Sequence, residues 1–426
     1  MKKSSLFVNG RVHCLSYPGT TAASILVENG IITALDPDKN RLAAVRPSPD
    51  LVDLKGAAVL PGFIDTHVHV ASLGRIARSF ANLYRARSIA AIVDSLKEKA
   101  AAQPQGPLAG FGPNFRADLL AEGRLPAAAD LDRVAKDRPV VLHDVNKYIV
   151  NSYVLARIAP EALAKAKTLS AEFGTNVFFS KARGLVPPEC HVPVSSGHQL
   201  EEDIVRALQL CAANGLTCVV NASVTMEQCR ILRRLNRAGK IPIKMILLMF
   251  EVPPDKLAAE GITPGLVEGR LTFGPLKYFW DMFVMHRSAL MREPYLDEPD
   301  NHGNSFVPPD EFRKKLRAAF DAGWPVGVHC TGDRALDDLA AMLLGEKERM
   351  AGLPPSHIIH AYFPSPKAME ICRSLQIGFA VQPAFIRDWG DTLPEFIGAG
   401  RAARFLPLKT MMANGLTLGG GSDAPI

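Results

Sequence analysis

Two histidines one residue apart, His67 and His69 in Pro61-Gly62-Phe63-Ile64-Asp65-Thr66-His67-Val68-His69, are the sharpest chemical feature of the chain. Residues two apart on a strand share a face, so both imidazoles can project to one point. Neutral imidazoles bind first-row metals, and two of them make half of a tetrahedral site. A His-x-His pair also arises by chance on exposed strands, so its weight comes from its company. His329 closes Val326-Gly327-Val328-His329, His360 closes His357-Ile358-Ile359-His360, and Asp423 follows Gly419-Gly420-Gly421-Ser422. Each ligand-type residue ends a short apolar run, the place where α/β barrels carry their catalytic groups.

Eight such runs must do the positioning: Val59 to Asp65, Leu216 to Ala222, Pro242 to Met249, Leu271 to Phe279, Pro325 to His329, His357 to His360, Gly378 to Gln382 and Leu416 to Gly421. Helical stretches such as Asp310 to Ala322 precede several of them, which predicts an α/β fold, a (β/α)8 TIM barrel. Periodicity alone leaves a doubly wound open sheet as the alternative. Residues 71–214 are too long for an ordinary βα connection and form an insertion, with extra strands at Leu108 to Gly112 and Pro139 to His143. Loops at this rim carry function in barrels, so the insertion is expected to supply a lid or part of the substrate pocket.

Residues 1–57 read as a small β-sandwich-like accessory domain, and 58–426 as the barrel with its insertion. In the first part, Asn9-Gly10 and Asn29-Gly30 each lie between apolar runs and are expected to turn hairpins. The sequence stops five residues after Gly421, with no closing helix. That ending implies a missing carboxyl-terminal part, an incomplete accessory domain and uncovered apolar barrel surface, which favours self-association into a homo-oligomer.

Hydrophobic residues at 47% and charged ones at 22% match an ordinary globular protein. The net charge of +6 comes from 49 basic and 43 acidic residues without single-sign tracts, which argues against nucleic acid as a partner and for a small-molecule substrate. Asn9, Arg11 and His13 interrupt the stretch after Lys2-Lys3, so no signal peptide is expected. Ile241 to Phe250, the most apolar segment, is too short to span a bilayer, so no membrane partner is expected. Seven cysteines without paired spacing fit a reducing, cytoplasmic location.

Taken in order, Pro61 to His69, Val328-His329-Cys330-Thr331-Gly332-Asp333-Arg334-Ala335, His360-Ala361 and Gly421-Ser422-Asp423-Ala424-Pro425 resemble the serial motifs of the amidohydrolase superfamily. They most resemble the branch that includes N-substituted formamide deformylase. The resemblance implies that His67 and His69 bind one divalent metal, that His329 and His360 complete it or bind a second, and that Asp423 touches metal and accepts the nucleophile's proton. Lys277, in Gly274-Pro275-Leu276-Lys277, matches a lysine that this branch can carboxylate to bridge two metals. The implied activity is hydrolysis of an amide, formamide or cyclic amide C–N bond by a metal-activated hydroxide. Zinc suits the imidazole-rich set, with iron and manganese as alternatives. His143, Trp280, Asp281 and Arg334 are candidate substrate contacts, and Asn146 stands where members often carry a histidine. Trp280-Asp281-Met282 replaces the branch's small Asp-Gly-Ser turn. Two rival functions follow from the same residues. One is a single-metal deaminase, whose glutamate position is Gly332, with Asp333 as a substitute; the other is a truncated, non-catalytic homologue.

Overall fold

The computed structural model of the chain describes residues 4–15, 19–112, 115–144, 147–169 and 176–425. Contacts divide it into two compact units, Met1–Phe63 and Ile64–Ile426. In the first unit Ile25–Glu28 and Ile31–Leu35 form the hairpin expected at Asn29-Gly30. Asn9-Gly10 does something else: Ser4–Val8 and Arg11–His13 lie in different sheets, one of four strands and one of three. Asn9 takes a left-handed φ of 57°, and Gly10 then passes so close to Leu54 that a Cβ would meet its side chain at 2.5 Å. The Asn-Gly pair turns the chain here from one sheet into the other. Each sheet also contains a parallel pair, contrary to the purely antiparallel pattern that two hairpins would make.

The second unit contains eight parallel strands where the apolar runs lie: Phe63–Val68, Leu216–Val224, Lys244–Met249, a fourth in two pieces (Leu271–Phe273 and Leu276–Phe279), Val326–Cys330, His357–His360, Gly378–Val381 and Leu418–Gly420. They pair in sequence order as two five-stranded sheets, the first edged by the short antiparallel Val267–Glu268. Single bridges, Phe250 with Lys277 and Val68 with Ala424, join the ends of the two sheets. A helix follows or precedes each strand, and alternate residues Val220, Leu248, Ile359 and Ala380, from the second, third, sixth and seventh strands, cluster apart from the main core. Side chains that alternate along a strand face opposite sides, so this separate layer lies on the strands' other face, while the main core packs strands against helices.

The insertion builds its own five-stranded sheet. Leu108–Phe111 and Val140–His143 are the expected strands, and Phe80–Asn82, Lys147–Val150 and Val177–Phe179 extend them. Among the described residues, no helix is long and apolar enough to cross a membrane.

One helix crossing holds the end of the first strand. Helix Val70–Ser79 begins directly after His69 and packs on helix Gly197–Ala213. Gly74 permits the approach, since a Cβ there would stand 1.8 Å from the Asp203 carbonyl oxygen. Arg78 locks the crossing with a two-pronged bond to the buried Asp203 carboxylate, at 2.6 and 3.2 Å. Gly74→Ala is therefore expected to push the helices apart and cost about 1–3 kcal/mol or more. An unchanged thermal midpoint would show that the crossing is looser than described.

Candidate metal centre

The first and eighth strands meet through one carboxylate. Asp65 accepts the backbone N–H of His67 at 3.0 Å, the N–H of Ser422 at 2.9 Å, and the Ser422 hydroxyl. The Asp423 N–H donates to the His67 carbonyl at 2.7 Å, and the His69 N–H to the Ala424 carbonyl at 2.9 Å. Gly421 lies within this junction, where a Cβ would meet the His67 nitrogen at 2.7 Å, so only glycine fits. As a result Asp423 Oδ1 stands 3.3 Å from His67 Nε2 and 3.1 Å from His69 Nε2.

These three donor atoms lie within 4.8 Å of one another, and Asp423 Oδ1 and His67 Nδ1 have no well-aligned hydrogen-bond partner. Buried polar atoms are ordinarily satisfied. Two nitrogens and an oxygen that converge without bonding one another fit a divalent cation placed between them.

His360 and His329 flank this point. Their ring centroids are 4.5 Å apart, and His360 is 5.2 Å from His67. His360 Nδ1 lies 2.7 Å from Gln382 Oε1, whose own amide donates to the Ala380 carbonyl. That acceptor assigns the proton to Nδ1 and leaves the Nε2 lone pair for a ligand. His329 Nε2 sits 3.1 Å from the Met282 carbonyl, which by the same logic leaves its Nδ1 lone pair. Burial lowers His67 to about 4 and His360 to about 3, and holds His329 well below its ordinary value. All three are neutral at pH 7, as ligands must be. Burial alone would raise Asp423, but the surrounding imidazoles outweigh it and hold the carboxyl well below the usual range. Lys277 is fully buried, its Nζ has no hydrogen-bond partner, and it lies 4.7 Å over the Phe279 ring; burial brings it down to about 7. His360 and Asp423 adopt left-handed φ of 75° and 55°. Such strain costs on the order of 1–3 kcal/mol per residue and clusters at functional sites.

The four candidate substrate contacts each have partners within the protein. Trp280 is buried in the core against Phe312, 4.9 Å away. Asp281 is a buried clamp: it accepts the N–H groups of Leu290, Thr331 and Gly332 at 2.8–3.0 Å. Arg334 is exposed on helix Asp333–Gly345, 3.7 Å from Asp338 one turn on. His143 ends an insertion strand within an aromatic group of Phe80, Tyr148 and His191. Asn146 lies outside the described residues. The deaminase alternative loses its proton shuttle, because a Cβ at Gly332 would stand 2.1 Å from the Leu290 carbonyl oxygen. Asp333 is held at the start of its helix, with one carboxylate oxygen accepting the N–H groups of Arg292 and Arg334. Asp65 and Gln382 are further residues of the site: Asp65 lies within the Pro61 to His69 motif, which marks it, whereas Gln382 carries no local mark of its role.

The sequence profile of the amidohydrolase family matches residues 50–426. This chain belongs to the amidohydrolase family. It is 26% identical over 442 residues to the putative amidohydrolase YtcJ of Bacillus subtilis (strain 168), covering 99% of this chain and 81% of that protein. N-substituted formamide deformylase of Arthrobacter pascens is 22% identical, over 99% of this chain and 80% of its own length. A solved structure of a metal-dependent hydrolase from Pyrococcus horikoshii OT3 superposes with a TM-score of 0.74 at 25% identity, covering 99% of this chain and 83% of that one. The amidohydrolase is a hydrolase of C–N bonds, and its His-His-Asp cluster supports a divalent metal.

Protein purified without chelators should carry at least about one equivalent of metal, and the His67→Ala/His69→Ala variant none. Equal metal content in the two would remove this site from consideration. The neutral imidazoles also set a pH dependence. The unfolded chain takes up protons near 6.5 and the folded site only near 4, so folded-state stability is lost as pH falls from about 6.5 towards about 4. Metal retention on dialysis should decline over the same window; retention that is flat across it would contradict the assignment.

Proposed function

We propose that this amidohydrolase is a (β/α)8 barrel, over about residues 58–426, that hydrolyses an amide, formamide or cyclic amide of a small molecule, with Asp423 as its proton shuttle. The unit before it, about 1–57, serves as an accessory domain. The observation that carries this reading is the Asp423 carboxylate, buried beside two converging imidazoles from the opposite end of the strand order, at 3.3 and 3.1 Å.

The same residues divide the work. His67, His69, His329, His360 and Asp423 would hold one or two divalent ions, zinc being the best match to imidazoles with a carboxylate. When bound, the metal supplies a Lewis acid and lowers the pKa of a coordinated water towards 7. Asp423 takes the proton that the attacking water loses as the new C–O bond forms, then passes it to the departing nitrogen as the C–N bond breaks. Gln382 keeps the His360 ring turned with its Nε2 lone pair available. Lys277 is suited to carboxylation: an amine buried without a partner among histidines becomes, on addition of carbon dioxide and loss of a proton, an anion able to bridge two cations. The seven free cysteines fit a cytoplasmic location.

Asp423→Asn keeps the shape and one ligand oxygen but accepts no proton. On whichever member of a panel of formamides, amides and cyclic amides the wild type turns over, kcat is expected to fall roughly 10²–10⁴-fold with metal content and thermal midpoint largely kept. Turnover at the wild-type rate would refute the shuttle.

A further inference from the structure

The insertion and the segment that follows the seventh strand enclose a cavity of about 490 Å³. Leu83, Phe115 and Leu120, all buried, form its apolar floor. Above them its wall carries four arginines, Arg85, Arg87, Arg116 and Arg387, against two carboxylates, Asp388 and Asp391. Pro113 and Asn114, which stand between the lining Gly112 and Phe115 in sequence and outside the described residues, carry no charge.

The carboxylates are taken up by two of the four arginines. Arg116 donates twice to Asp118, at 2.9 and 2.6 Å, and Glu395 and Asp391 bear on the same guanidinium from further away. Arg387 donates to Asp388 at 2.8 Å. Arg87 spends one nitrogen on the Tyr84 and Ala86 carbonyls, at 3.3 and 3.0 Å, which are dipoles and leave its charge unmatched. Among the described residues neither Arg85 nor Arg87 has a carboxylate partner. The positive surplus of the cavity therefore sits on these two side chains.

Two bonds tie the cavity to the segments around the metal centre. Tyr84, which also lines it, donates its hydroxyl to the Pro425 carbonyl at 2.8 Å, two residues beyond Asp423. Arg387 and Asp388 belong to helix Ala384–Trp389, whose Phe385 ring lies 6.4 Å from that of His360. Ligand sites of about 300–1,000 Å³ pair apolar walls with a few polar groups that fix orientation. A guanidinium fork matches the two oxygens of a carboxylate, and an apolar floor beneath it favours a hydrocarbon body over water.

We infer that this cavity binds a small organic acid, with its carboxylate held by Arg85 and Arg87 and its apolar body on Leu83, Phe115 and Leu120. The inference goes beyond the hydrolase reading and stands without it. The acid is either one end of the substrate or a separate ligand, and the chemistry of recognition is the same for both.

Calorimetric titration of the holoprotein with 3-phenylpropionate and with 3-phenylpropan-1-ol, which has the same body without the charge or a hydrolysable bond, tests the site. The acid is expected to bind about tenfold or more tightly than the alcohol, the usual effect of a hydrogen-bonded charge. Acetate, which lacks the body, should bind at least about tenfold more weakly than 3-phenylpropionate. Arg85→Met/Arg87→Met, at two exposed positions, should bring the ratio of acid to alcohol near one, and Arg85→Met alone should lose part of it. In the His67→Ala/His69→Ala variant the preference should persist; its disappearance there would assign the carboxylate to the metal centre and overturn the site. Binding of neither compound, equal binding of acid and alcohol, acetate as tight as 3-phenylpropionate, or an undiminished preference in Arg85→Met/Arg87→Met would each overturn it as well. With the site in place, competitive inhibition of an amide that the wild type turns over assigns the carboxylate to the substrate, and non-competitive inhibition assigns it to a separate ligand. A preserved preference in a protein that hydrolyses no amide would leave the site standing and remove only the hydrolase mechanism.

Discussion

A carboxylate at 2% exposure, surrounded by imidazoles that are neutral at pH 7, is the constraint around which this structure is arranged. Removing such an ion from water costs several kcal/mol unless opposite charge is supplied. Lys277 is the lysine whose charge bears on the buried histidines, and its own burial works against that charge. Asp423 therefore keeps its negative charge with no full positive charge beside it, a setting that suits a divalent cation. The imidazoles that keep Asp423 ionised carry no net charge of their own at pH 7, and that neutrality leaves the lone pairs a cation needs. The charge deficit and the ligand set are two expressions of one arrangement.

That arrangement depends on joining residues more than 350 positions apart in sequence, as the Asp65 to Ser422 bonds show. The hydrophobic layer of Val220, Leu248, Ile359 and Ala380 brings their strands into register, and the Arg78–Asp203 lock steadies the helix that leaves His69. Asp65 then fixes the turn before Asp423 through two bonds to Ser422, while also accepting the His67 N–H. The left-handed conformations at His360 and Asp423 are held by this surrounding packing, since isolated they would relax. Rigidity therefore comes from the strands and from the bonds that tie the first of them to the eighth.

Much of this was legible in the sequence because it is local. Short apolar runs ending in His329 and His360 expose both strand and ligand in a few residues, and each forms a strand in the second unit, whereas the run expected over Val59 to Asp65 forms its strand further on, at Phe63–Val68. What escaped was set by distant partners. Asn9-Gly10 carries a hairpin signature, yet the pairing of its flanks with Ala23 and Leu54 sends the chain between sheets. Trp280 and Asp281 stood next to the fourth strand's end and looked like pocket residues, but their direction follows from Phe312 and from the backbone of residues 290 and 331–332. Gln382 acts only through His360, and glutamine at a strand end has no local mark of that role.

The central claim is that the strand ends converge on a metal cation that Asp423 needs. Diffraction from crystals of the unchelated protein, with data collected on either side of the zinc, iron and manganese absorption edges, measures this most directly. The account predicts an anomalous peak about 2.0–2.2 Å from nitrogens of His67 and His69 and an oxygen of Asp423. Where a second peak appears, extra density on Lys277 Nζ should lie between the two. Clear density for those side chains with no anomalous peak, and with Asp423 bonded instead to protonated imidazoles, would contradict it.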